Sequence, residues 1–76
     1  MTLSDLFPGD RAKILSFQGA TRAYRQRLMT MGLTPQTEIQ VIRRAPMGDP
    51  IEIEVRGSLL SLRQAEAACL QLERLS

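Results

Sequence analysis

Asp49, Glu52 and Glu54 fall within six residues, in the stretch APMGDPIEIEV from Ala45 to Val55. Carboxylates are the hard oxygen ligands of divalent cations and the commonest general acids and bases after histidine. If Ile51 to Val55 is a strand, Glu52 and Glu54 project from one face, about 7 Å apart at two strand rises. Asp49 can approach them from the turn before. Three such groups can hold a divalent cation weakly. They can also be a solvated face that alternates with Arg56, and the residue types elsewhere favour that reading.

The chain has no histidine and one cysteine, Cys69, set in the apolar run AACLQL. A nucleophile beside a base therefore has no candidates, and transition-metal sites lack their usual imidazole and thiolate ligands. Cys69 reads as a small buried side chain rather than a reactive thiol. The glycines at 9, 19, 32, 48 and 57 are isolated, so there is no phosphate-cradling loop. No catalytic residue, resident metal or cofactor is expected, and the chain does not read as an enzyme.

Nine of the ten basic residues are arginine and the net charge is +2. Arginine forks suit phosphate, but here the eight acidic residues are spread among them and the longest basic run is Arg43-Arg44. Tyr24, Phe7 and Phe17 are the only aromatic side chains able to stack on bases, and none sits in a basic strand. Nucleic acid is not the expected partner. No apolar run approaches the roughly 20 residues needed to span a bilayer, and Met1 to Leu6 lacks the form of a leader. The expectation is a soluble cytoplasmic chain forming one domain, 1–76, near the lower size limit for independent folding.

The elements follow from periodicity and punctuation. TLSD, Thr2 to Asp5, fits a capping box over one helical turn. Arg11 to Phe17 reads as a strand with Ala12 and Ile14 on one face and Leu15 and Phe17 on the other. GATRAYRQRLMTMGL is a helix whose apolar stripe is Tyr24, Leu28 and Met31, with Thr21 as N-cap, Gly32 as stop and Leu33 folding back on Leu28. TPQT is a turn. Glu38 to Ala45 is a strand in which Ile42 breaks the alternation, marking a bulge or a covered face. Pro46, Gly48 and Pro50 turn the chain into Ile51 to Val55, with Asp49 capping that turn. Gly57-Ser58 joins this strand to the next as a glycine-first hairpin. Ser61 to Gln64 is a second capping box before a short helix, and Leu70 and Leu72 alternate in a last strand. One helical stripe cannot cover both faces of an open sheet of five strands, so the strands are expected to curl into a small barrel.

RLMTMGLTP, APMGDPIEIEVRG and LSLRQAEAACLQLE together resemble the FeoA family, small cytoplasmic components of bacterial ferrous iron transport, over nearly the whole chain. The resemblance implies a mainly β fold with short helices, a five-stranded SH3-like barrel plus one principal helix. It also implies a partner, the FeoB membrane transporter with its GTP-hydrolysing domain. Gln36 departs from the family pattern, which has glycine after that proline. If the turn needs a positive φ there, glutamine is strained; otherwise the turn is type I.

The function expected is a non-catalytic accessory or regulatory module docking on the cytoplasmic part of FeoB, peripheral to the membrane only through that partner. Arg25, Met29 and Leu33 beside the helix and Met47 and Pro50 at the proline turn are the expected contact residues, acting as one apolar patch rimmed by arginine. The alternative is a metal-responsive domain that binds a divalent transition metal ion weakly at Asp49, Glu52 and Glu54. The strand from Gln71 to Leu75 reads as an exposed edge and so admits a weak homodimer.

Overall fold

A computed structural model of the chain describes residues 1–75. Strands β1 (Arg11–Phe17), β2 (Glu38–Arg44), β3 (Ile51–Val55), β4 (Ser58–Leu62) and β5 (Leu70–Arg74) form one antiparallel sheet in the order β4-β3-β2-β1-β5. Helix α1 (Arg22–Thr30) occupies the β1–β2 connection and α2 (Gln64–Ala67) the β4–β5 connection. A 3-10 turn at Leu3–Asp5 comes first, and the Thr2 N–H donates to the Asp5 carboxylate at 2.9 Å.

Alternation along each strand sends apolar side chains to one interior. Ala12 and Ile14, Ile39 and Val41, Ile51, Ile53 and Val55, and Leu70 and Leu72 are all buried there. Leu28 of α1, Ala67 of α2 and Leu3 and Leu6 of the N-terminal segment belong to the same cluster. No polar or charged residue among those described is buried, so the interior is held by apolar burial, about 1.5–3 kcal/mol for each large side chain. The Ile42 irregularity is a bulge: the β2–β3 register shifts between Val41 and Arg43, and Ile42 is exposed.

Helix α1 ends as its residues dictate. The Thr21 hydroxyl accepts from the Tyr24 N–H, and Gly32 takes φ +94°. The Leu33 N–H reaches the Leu28 carbonyl at 3.2 Å and the Gly32 N–H the Met29 carbonyl at 3.0 Å, the paired bonds of a Schellman stop.

Five expectations are corrected. Met31 is the C-cap of α1 and is exposed, so the helical stripe is Tyr24 and Leu28. The hairpin turn is Arg56-Gly57 rather than Gly57-Ser58, because Val55 pairs with Ser58. Both turn residues have positive φ, 52° and 79°, as a type I′ turn requires. The capping box of α2 begins at Arg63, whose N–H donates to Glu66, and not at Ser61. Asp49 caps α2 from a distance, accepting from the Gln64 N–H at 2.8 Å, instead of closing its own turn. The outer edge of β5 is partly covered, since the Leu72 N–H donates to the Met1 carbonyl at 2.8 Å.

Candidate functional site

Asp49, Glu52 and Glu54 do not converge. Asp49 is held by the α2 N-terminus and lies 3.9 Å from the Arg63 guanidinium. Glu52 pairs with Arg43 at 3.4 Å across the β2–β3 ladder. Glu54 stands opposite Gln40 and Leu59. No three His, Cys, Asp or Glu side chains among the described residues converge on a point that could hold a metal ion. Asp49 and Glu52 are matched by arginines, and Glu54 is exposed to solvent.

The five expected contact residues do not form one patch. Leu33 is 0% exposed and belongs to the core, so it is not a contact residue: the Schellman bonds that stop α1 turn it inward. Met47 projects almost fully, 92% exposed, at the tip of the proline turn. Pro50, partly buried, lines a depression of about 180 Å³ with Arg43, Arg44 and Pro46. Arg44 is committed there to the fold. Its guanidinium donates to the Ser4 and Leu6 carbonyls and lies 5.6 Å from the Phe7 ring centroid, pinning the N-terminal segment to the sheet.

Arg25 and Met29 line a different and larger depression, a groove of about 420 Å³ between α1 and β1. It shares no lining residue with the first. Leu15 and Phe17 come from β1, Met29 from the edge of α1 and Pro35 from the turn that follows. The expectation that Leu15 and Phe17 share a face is corrected: the β1–β5 register shifts between Ile14 and Ser16, so Leu15 stands out at the bulge while Phe17, paired with the buried Leu70, packs against the core. Arg22 and Arg25, one helical turn apart, are exposed along its rim. The sequence points to Arg25 and Met29 but not to Leu15 or Phe17 as contact residues. No local pattern in RAKILSF marks the register shift between Ile14 and Ser16 that brings both to the groove.

The groove's charge is uncompensated. Arg11, Lys13, Arg43, Arg63 and Arg74 each pair with a carboxylate. Arg22, Arg25 and Arg27 have no ion-pair partner among the described residues, and RAYRQRLMT contains no acidic residue at all. Behind them, the Tyr24 hydroxyl donates to the Glu66 carbonyl at 2.8 Å, which fastens α1 to α2. Burial first, then the charges of Glu66 and Cys69, raise the Tyr24 pKa above its ordinary 10.0. Burial likewise raises the Cys69 thiol, which is partly buried against the core. Neither group is tuned for chemistry near neutral pH.

A family model described as the FeoA domain matches residues 1–74. The chain belongs to the FeoA family. A fusion protein of Porphyromonas gingivalis, named Fe(2+) transport protein A/Fe(2+) transporter FeoB, is 34% identical over all 76 residues. The chain spans 9% of that relative's length. The solution structure of FeoA from Chlorobium tepidum superimposes with a TM-score of 0.88 at 43% identity, covering 100% of this chain and 71% of that one. FeoA of Stenotrophomonas maltophilia, described as a prokaryotic SH3 domain protein complexed with zinc, superimposes with a TM-score of 0.80 at 28% identity. That match covers 96% of this chain and 89% of the other. The fold of this FeoA-family chain is accordingly SH3-like, five antiparallel strands with one main helix, and its family is linked to ferrous iron transport.

Proposed function

We propose that this FeoA-family chain, as a single domain, is a non-catalytic accessory protein of ferrous iron transport that docks on the cytoplasmic part of a FeoB-type transporter. The observation that carries the reading is the relative in which an FeoA segment and a FeoB transporter are one polypeptide. Covalent fusion keeps two modules at high effective concentration, which is advantageous when they act as a pair. No helix of the described residues is long and apolar enough to cross a membrane, so the reading places this chain at the membrane through its partner. A rigid barrel presents a preformed surface with little ordering cost on association.

Within that reading the α1–β1 groove, with Arg25 and Met29, is the contact surface, and Met47 and Pro50 at the proline turn supply a second contact. Met29→Glu places a charge in the groove while Leu28 beside it keeps the core. Co-purification of Met29→Glu with a FeoB-type transporter is expected to be lost with the thermal melt unchanged. Retained co-purification moves the contact off this groove.

The zinc complex of the Stenotrophomonas relative supports a second reading, weak divalent-ion binding at surface carboxylates. Here Asp49 and Glu52 would have to leave Gln64 and Arg43 to bind an ion. Anaerobic calorimetry with ferrous iron decides it: heat abolished by the Asp49→Asn/Glu52→Gln double substitution upholds this second reading, and no heat rejects it.

A further inference from the structure

We infer that the α1–β1 groove receives an acidic segment of a protein partner, with an apolar side chain seated beside Leu15, Phe17 and Met29 and carboxylates meeting Arg22 and Arg25. The inference deepens the docking proposal, on which it rests for the segment's origin in a transporter partner.

Local physics disfavours the residues that rim this groove. Arg22 is the first residue of α1, where the aligned peptide dipoles favour an acid, and no acid occupies the first turn. Arg25 follows one turn later with no carboxylate among the described residues to offset it, although the fold pairs five other cations with acids. A helix built only for stability would carry Glu or Gln at these positions. Sites where local preference is overruled without a structural return are where a binding role is expected.

The ligand chemistry follows from the lining. Guanidinium forks bind carboxylates through paired, charge-assisted hydrogen bonds. Two arginines spaced i, i+3 have β-carbons about 5–6 Å apart. That span matches two acids one turn apart on a helix, or alternate acids about 7 Å apart on an extended strand. The floor is apolar and recessed, because Phe17 and Met29 are partly buried. A volume of about 420 Å³ accepts a few side chains. A lipid surface calls for the opposite shape, with apolar groups that protrude. The side chains that protrude most, Met47 at 92% and Phe7 at 64%, do not line the groove. A partner segment is therefore favoured over a membrane.

The test uses the full chain and a fluorescein-labelled synthetic peptide with glutamates on both sides of two leucines. Its counterparts replace Glu by Gln, Glu by Lys, or Leu by Ser. Anisotropy is expected to show binding of the acidic peptide, weakened about tenfold or more by the Gln or Ser replacements. Amide shift changes are expected at Leu15–Phe17 and Arg22–Met29. The double variant Arg22→Glu/Arg25→Glu, which suits the helix N-terminus and retains the fold, is expected to lose the acidic peptide and gain the lysine one. Binding indifferent to peptide charge, shifts located elsewhere, or arginine-dependent binding to phosphatidylserine vesicles or single-stranded DNA in place of the peptide each overturns the inference. The soluble cytoplasmic domain of a FeoB-type transporter is titrated in parallel. If it binds both forms of the chain equally, the inference fails and docking stands. If it binds neither while the peptides behave as expected, the docking proposal fails and the groove's preference stands.

Discussion

Gln36 has φ +74° at the third position of the turn Thr34–Thr37, which closes through the Thr37 N–H and the Thr34 carbonyl at 3.1 Å. That is type II geometry, in which glycine is the unstrained choice. Glutamine is accommodated because its own N–H reaches the Ile14 carbonyl at 2.7 Å and the Arg56 guanidinium bonds the hydroxyls of Thr34 and Thr37. Gln36→Gly is expected to raise stability by up to about 1 kcal/mol, as relief of the left-handed strain exceeds the added chain entropy. Urea unfolding of the two proteins checks it, and a lower midpoint contradicts it. Tyr24 carries a second expectation. Its pKa is higher folded than unfolded, through burial first and then the Glu66 charge, so its contribution is complete below about pH 10. It is lost as pH rises through the folded value, because the unfolded chain gives up the proton first. Tyr24→Phe is expected to cost about 1 kcal/mol at neutral pH for the lost bond to Glu66 and to show a shallower alkaline decline. Thermal melts across that range decide between the two slopes.

At the level of elements, the two helices differ in what specifies them. Everything that starts and stops α1 lies within its own neighbourhood, Thr21 before it and Gly32 after it, and its boundaries were legible for that reason. A four-residue α2 has no independent stability. Three distant groups hold it: the Asp49 carboxylate on the Gln64 N–H, the Gly48 carbonyl under the Gln64 amide, and the Tyr24 hydroxyl on the Glu66 carbonyl. The proline turn therefore works as a clamp on α2, a role invisible when it is read as a local corner. Asp49→Ala is expected to cost about 1 kcal/mol. Hydrogen exchange at Gln64–Ala67 should accelerate before that of the strands, and uniform exchange would assign the loss elsewhere. The β3–β4 hairpin is a similar case. Its turn type follows from the Val55–Ser58 pairing, and glycine's place in a sequence does not reveal the register.

For the molecule as a whole, one apolar interior is shared by all five strands, both helices and the N-terminal segment. Leu33 belongs to it, although as a leucine just past a helix it has the look of a surface anchor. Leu33→Ala is expected to cost about 2–5 kcal/mol, a severe loss in a domain this small. Denaturation will separate this from Met29→Glu, which is expected to leave stability unchanged while removing docking. A neutral Leu33→Ala would contradict the packing described. Charge is distributed on the same scale. Five of the ten basic side chains are paired with carboxylates, whereas Arg22 and Arg25 of α1, without ion-pair partners among the described residues, lie side by side at the groove.

Period-two alternation and helix punctuation are properties of consecutive residues. The sequence alone therefore determined the five strands, the main helix and most of the inward-facing residues. Which outward side chains become neighbours depends on how elements pack across long stretches of chain, and no local pattern encodes that. Folding separated Met47 and Pro50 from Met29, drew Leu33 inside, and carried Leu15 and Phe17 beside Arg22 and Arg25. The groove exists only because β1 and α1, joined through Gly19, fold back against each other.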